Sequence, residues 1–153
     1  MMKKILNAAL FALSFLWQAP QSFLGLLMLI FFKLTSDAEL ISYNKLCFAF
    51  KSTGMRGGIS LGNFAFLSNS LSKSPESIAH EQLGHTWDSK LMGPFYLFIV
   101  GIPSILNAAF DFTDCYYDFF CEAWANKHAG LETYQNDWGR CVLRFKENNE
   151  QKQ

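Results

Sequence analysis

Ser74-Pro75-Glu76-Ser77-Ile78-Ala79-His80-Glu81-Gln82-Leu83-Gly84-His85 is the stretch on which the reading of this chain turns. Ser74 followed by Pro75 and Glu76 supplies a cap, a first-turn proline and an early acidic group, so the spacing predicts a helix over residues 75–90. Two histidines on that helix are five residues apart. In a regular α-helix, at about 100° per residue, groups at i and i+4 differ by about 40° and share a face, whereas groups at i and i+5 differ by about 140°. Two imidazoles so far apart cannot ligate one ion. A π-bulge, in which the helix absorbs one extra residue, would restore a shared face, and Gly84 supplies flexibility nearby. In the other frame, Glu81-Gln82-Leu83-Gly84-His85 keeps regular spacing, with Glu81 and His85 as ligands and Gln82 unable to act as a base at neutral pH.

A second polar grouping lies downstream. If a helix runs over residues 111–128, then Asp111, Asp114, Asp118, Glu122 and Asn126 fall on one stripe, and the rest of the surface is largely aromatic (Phe112, Tyr116, Tyr117, Phe119, Phe120, Trp124). A solvated face is one explanation. The histidine pair supplies another, since a third zinc ligand often comes as a carboxylate from a second helix. Glu122 is the candidate, with Asn126 one turn later placed to bond a ligand and Asp118 one turn earlier as a further supporting group. Asp88 reads as a helix-surface acid, and His128, without a partner at ligand spacing, as a surface or satisfied histidine.

Working outward, the chain is strongly apolar: of 153 residues, 50% are hydrophobic, 16% aromatic and 17% charged, and 13 basic side chains balance 13 acidic ones. This composition excludes a disordered chain, and a balanced charge without a basic cluster argues against nucleic acid as a partner. Residues 5–32 contain no charged side chain and are bracketed by Lys3, Lys4 and Lys33. Lys3 and Lys4 before an apolar run imitate a secretory leader, but Ala19-Pro20 is a poor cleavage context. Gln18, Pro20, Gln21 and Ser22 divide the stretch into halves, each shorter than the roughly 20 residues a bilayer core needs. It crosses as one Pro-kinked helix or folds at Pro20 into a re-entrant or interfacial pair. Residues 91–110 are also uncharged, broken by Gly93-Pro94 and by Gly101-Ile102-Pro103-Ser104. A straight helix there would separate His85 from Glu122 by about 30 Å, so a shared site requires the chain to return, and the Gly101–Ser104 break is the expected place. Between the apolar segments, Ile41–Phe50 and Ile59–Leu67, separated by Gly54 and Gly57-Gly58, predict a β-hairpin or small meander. Four cysteines without a C-x-x-C pair read as free thiols. Residues 146–153 form a polar, frayed tail.

The fold expected is therefore α+β and mostly helical: one membrane-associated domain over residues 1–145, with zincin-like helices and a small β region at 41–67. His80-Glu81 and His85 with Glu122-Ala123-Trp124-Ala125-Asn126 resemble the H-E-x-x-H and E-x-x-A-D pattern of membrane-embedded gluzincins related to prenyl-protein proteases and the heat-shock membrane protease. That resemblance implies zinc held by His80, His85 and Glu122, Glu81 as general base, and Asn126 where the family has Asp. Leu16-Trp17-Gln18-Ala19-Pro20-Gln21, Gly57-Gly58-Ile59-Ser60-Leu61-Gly62, Gly93-Pro94-Phe95-Tyr96 and Gly101-Ile102-Pro103-Ser104 resemble small uncharacterised prokaryotic membrane proteins with an H-E-x-G-H motif. When Gly84-His85 is matched to their Gly-His, Glu81 falls on the first His and Gln82 on the base. The expected function is a zinc metallopeptidase-like protein of the membrane (the inner membrane in a prokaryote), acting on a peptide or membrane-protein substrate. The alternative is a catalytically inactive relative that binds a partner.

Overall fold

The computed structural model describes residues 2–44 and 47–147, and its architecture is α+β. Helix α1 (Met2–Trp17) is followed at once by α2 (Ala19–Thr35), and the two are bent by 105° where Gln18 leaves helical geometry and Pro20 opens the second helix. Proline is tolerated there because the first-turn N–H has no intrahelical partner. Among the described residues no single helix is long and apolar enough to cross a membrane. Of the two readings of residues 5–32, the single kinked rod is thus replaced by a sharply folded pair.

The β region is larger than a hairpin. Strands β1 (Ala38–Asn44), β2 (Cys47–Ser52), β3 (Gly58–Leu61) and β4 (Phe64–Leu67) form one sheet in the order β1-β2-β4-β3, with β2 and β4 parallel and the other pairs antiparallel. Both central strands are covered on both faces. Phe50, Phe64 and Phe66 pack with Phe32 of α2 on one side, while Cys47, Ala49, Ala65 and Leu67 meet Ile78 and Leu71 on the other. That double coverage explains why Phe64-Ala65-Phe66-Leu67 is apolar without alternation. Strand β3 is left at the sheet edge beside the histidine segment.

The histidine segment is helical from Pro75 to Met92, in three pieces: α3 (Pro75–Ala79), a π-helical turn (His80–His85) and α4 (Thr86–Met92). Ser74 caps it, its hydroxyl accepting from the Ser77 N–H at 3.1 Å. The chain then reverses at Gly93–Tyr96, not at Gly101–Ser104: helical segments Pro75–Phe95 and Leu97–Phe110 are bent by 119°. The cause is Gly93 at φ +53, a conformation open chiefly to glycine, followed by Pro94. Pro103 instead sits in the first turn of α5 (Ile102–Phe110), which continues a π-helical segment at Leu97–Gly101 without a corner.

The helix expected over 111–128 is much shorter. Asp111 closes α5 in the left-handed region, Tyr116–Asp118 forms a single 3-10 turn, and α6 covers only Phe120–Ala129. The five-residue polar stripe is therefore broken, with Asp111, Asp114 and Asp118 outside α6. After Gly130, strands β5 (Leu131–Gln135) and β6 (Cys141–Phe145) form an antiparallel hairpin that the sequence reading overlooked, although Asn136-Asp137-Trp138-Gly139 between two alternating runs is a turn signal. Cys115 and Cys141 are joined in a disulfide that ties β6 to the segment before α6, which corrects the free-thiol reading for that pair; Cys47 and Cys121 are free and buried. Lys146 and Glu147 carry no regular structure, and the rest of the expected tail lies outside the described residues.

Candidate metal centre

The π-helical turn decides the site. By absorbing one residue between His80 and His85 it brings both imidazoles to one side, with ring centroids 4.7 Å apart. The widened turn packs on α6, and the contact is intimate: a Cβ on Gly84 would lie 2.5 Å from the Ala125 carbonyl oxygen. Gly84 thus serves close approach of two backbones rather than flexibility. That approach delivers Glu122, which is fully buried. Its Oε2 lies 3.0 Å from His80 Nε2 and 3.1 Å from His85 Nε2. Among the described residues, His80, His85 and Glu122 form one buried group able to hold a metal ion.

The hydrogen bonds around this group test that ability. Asn126 Nδ2 donates to the Tyr117 carbonyl, which orients the amide so that its Oδ1 faces His80 Nδ1 at 2.7 Å. In a neutral His80 the ring proton then sits at Nδ1, and Nε2, 3.0 Å from Glu122 Oε2, is the nitrogen left to ligate. A cation can bind between that nitrogen and the carboxylate oxygen. The distances suit one: ligands about 2.05 Å from a tetrahedral zinc stand about 3.3 Å from each other. The second oxygen of Glu122, Oε1, accepts a short hydrogen bond from the Ser104 hydroxyl. Burial disfavours the charged carboxylate of Glu122, but His80 and His85 more than offset this and hold its pKa far below the ordinary range.

Glu81 stands beside the ligands without joining them. The Ser60 hydroxyl of edge strand β3 donates to Glu81 Oε2 at 2.7 Å, and Gly58 leaves room for Oε1 where any side chain would collide. Glu81 and His85 line a cavity of about 350 Å³ whose other walls are mainly apolar, among them Leu61, Leu97, Ile102 and Ile105. On the far side of Glu81 and Tyr116, a second cavity of about 250 Å³ reaches His80 and Tyr117. Gln82 points away: its amide accepts from Ser42 and donates to the Cys47 carbonyl, fastening the turn to β1 and β2. The regular-spacing frame, with Glu81 and His85 as ligands, is therefore not the one adopted.

The structure overturns two expectations. Asp118 takes no part in the site; its Oδ1 accepts from Thr133 of β5, because the 3-10 turn carries it off the α6 face. Asp88 is fully buried rather than on a helix surface, and His128 is a satisfied histidine whose Nδ1 lies 2.7 Å from Asp88 Oδ1. Ser60, Ser104 and Tyr116 were not singled out, since their approach depends on strand β3 and on the reversal at Gly93. The same reversal explains the scattered motifs. Trp17 Nε1 donates to the Lys90 carbonyl at 2.8 Å, Gln21 Nε2 donates to the Gly93 carbonyl at 2.6 Å and Ser89 Oγ at 3.0 Å, and the Tyr96 hydroxyl donates to the Ser60 carbonyl. Together these bonds dock the bend between α1 and α2 against the bend after α4. Comparison with protein-family models, curated proteins and solved structures finds no match for this chain.

Proposed function

We propose that this chain is a membrane-associated, zinc metallopeptidase-like protein in which His80, His85 and Glu122 hold the ion and Glu81 serves as general base. The observation that carries this reading is the convergence of two imidazole Nε2 atoms and one carboxylate oxygen on a single buried point, next to an independent glutamate that lines a cavity. Zinc bound there would acidify a coordinated water and polarise a substrate carbonyl. Glu81, oriented by Ser60, takes the proton of the attacking water and returns it to the leaving amine. Asn126 holds the His80 ring, and Ser104 fixes Glu122 so that only Oε2 is offered inward. Tyr116, whose hydroxyl burial and the nearby Glu122 keep protonated, lines both cavities as a neutral hydrogen-bonding group.

Edge strand β3 supports a peptide as the substrate. Gly57 and Ile59 face β4 in the antiparallel register, so the backbone groups of Gly58 turn outward beside Glu81, while the outward carbonyl of Ser60 is taken by the Tyr96 hydroxyl. An extended peptide can pair with the Gly58 end of this edge. Association with a lipid bilayer is supported by exposed apolar side chains on both bent helical pairs, including Leu13, Leu16, Phe23 and Phe31 on one and Phe95, Phe98, Ile105 and Phe110 on the other. Short bent helices with such faces suit insertion into one leaflet. The test is zinc analysis of detergent-purified protein, with casein hydrolysis compared between wild type and Glu81→Gln. Zinc in both and hydrolysis only in wild type is expected, with a loss of about 10²–10⁴-fold. Equal hydrolysis rejects Glu81 as base, and zinc without hydrolysis in either assigns a binding role.

A further inference from the structure

We infer that Asp88, braced by His128, is the positioning residue of His85, setting the ring so that Nε2 is aimed at the metal point. The inference rests on the metal reading above but concerns residues outside the ligand set. His85 Nδ1 and Asp88 Oδ2 are both buried and have no hydrogen bond of their own, yet they face each other at 3.6 Å. The other Asp88 oxygen is engaged by His128 Nδ1 at 2.7 Å. A fully buried carboxylate with one oxygen anchored and the other directed at a ligand's rear nitrogen is the arrangement that fixes a metal-binding histidine in orientation and tautomer. His80 has its counterpart in Asn126, so each imidazole presents Nε2 inward with an oxygen facing its rear nitrogen, at 2.7 Å for His80 and 3.6 Å for His85.

The two supports differ in chemistry and in origin. Asn126 offers a neutral amide oxygen, whereas Asp88 offers an anion that strengthens the donor power of His85. Asp88 comes from α4, one turn beyond His85, where the return from π to α geometry places it behind the ring. His128 comes from the last turn of α6, the helix that also carries Glu122 and Asn126. Helix α6 therefore touches the centre three times: through a ligand, through the support of one histidine, and through the brace on the support of the other.

The experiment measures zinc affinity by chelator competition, and the visible absorption of the cobalt-substituted protein, for wild type, Asp88→Asn, Asp88→Ala, His128→Ala and His128→Asn. Both Asp88 variants are expected to lose about 10–100-fold in zinc affinity, His128→Ala about 10-fold, and the cobalt spectrum is expected to change in all three. His128→Asn, whose amide N–H replaces Nδ1, restores near-wild-type values. The His128 side chain is 27% exposed, so His128→Ala lets water reach Asp88 and is a milder change than removal of the buried carboxylate, which keeps the question open to test if the Asp88 variants fail to fold. Wild-type affinity and an unchanged spectrum in folded Asp88→Asn and His128→Ala overturn the inference. Wild-type protein that takes up no zinc overturns the metal reading as well.

Discussion

Replacing Gly84 by alanine places one methyl group between the histidine turn and α6, at the candidate metal centre. The new Cβ would lie 2.5 Å from the Ala125 carbonyl oxygen and 2.8 Å from its carbon, both backbone atoms of α6. Ordinary contact begins near 3.4 Å, so the two helices must separate by 0.9 Å, the difference between 3.4 and 2.5. Neither side can yield by rotating a side chain. Overpacking of this kind costs about 1–3 kcal/mol, which lowers the melting temperature of a domain this size by about 2–12 °C. The same displacement moves Glu122 Oε2 from 3.0 and 3.1 Å toward about 4 Å from the two Nε2 atoms, beyond the roughly 3.3 Å edge of a zinc tetrahedron. Zinc affinity of the folded protein is expected to fall by about 100-fold, the upper end of what displaced supports of a ligand cost. Thermal unfolding of the metal-free protein and chelator competition measure the two effects separately. An alanine variant with unchanged melting temperature and zinc affinity refutes the claim that backbone contact at Gly84 seats the third ligand.

Glu122→Gln removes the anionic ligand while keeping its volume, and zinc uptake should fall by more than the roughly 10–100-fold that outer supports carry, read by elemental analysis after dialysis. Cys115 and Cys141 are separated by 26 residues, a loop whose closure contributes about 3.5 kcal/mol in the chain-entropy model; Cys115→Ser with Cys141→Ser should lower the urea midpoint, and dithiothreitol should then have no further effect on it. Burial would lower the His85 pKa, but the facing carboxylates of Asp88 and Glu122 outweigh it and raise the value to about 10 in the metal-free protein. A proton must therefore leave His85 before it can ligate at neutral pH, so zinc binding should release protons and apparent affinity should rise up to about tenfold per pH unit between pH 6 and 8; calorimetry in buffers of different ionisation enthalpy reads the release.

The legibility of the chain varied with the range of the forces involved. The cap at Ser74-Pro75, the fold at Pro20 and the apolar character of residues 5–32 and 91–110 are local properties, and each appears in the structure near its expected place. The π-helical turn was legible as a requirement: two histidines five apart serve one ion only if the helix widens. Helix α6 was overextended because the aromatic-acidic pattern of residues 111–119 imitates helical periodicity. A left-handed Asp111 and the disulfide of Cys115 to β6 hold that segment irregular instead. The reversal was assigned to the wrong glycine-proline pair, since Gly93-Pro94 and Gly101-Ile102-Pro103 look alike in sequence. Only docking against Trp17 and Gln21 distinguishes them.

Residue types and their spacing were enough to nominate His80, His85 and Glu122, because ligand chemistry and helical angles depend on the chain alone. The three-dimensional arrangement decided that Glu81 is held by Ser60 and Gln82 by β1 and β2, that Asp118 is turned away, and that Asp88 and His128 stand behind the ring of His85. These roles hang on which elements meet across the core. The direction of a buried side chain is set by partners 15 to 40 or more positions distant, and no local pattern encodes it.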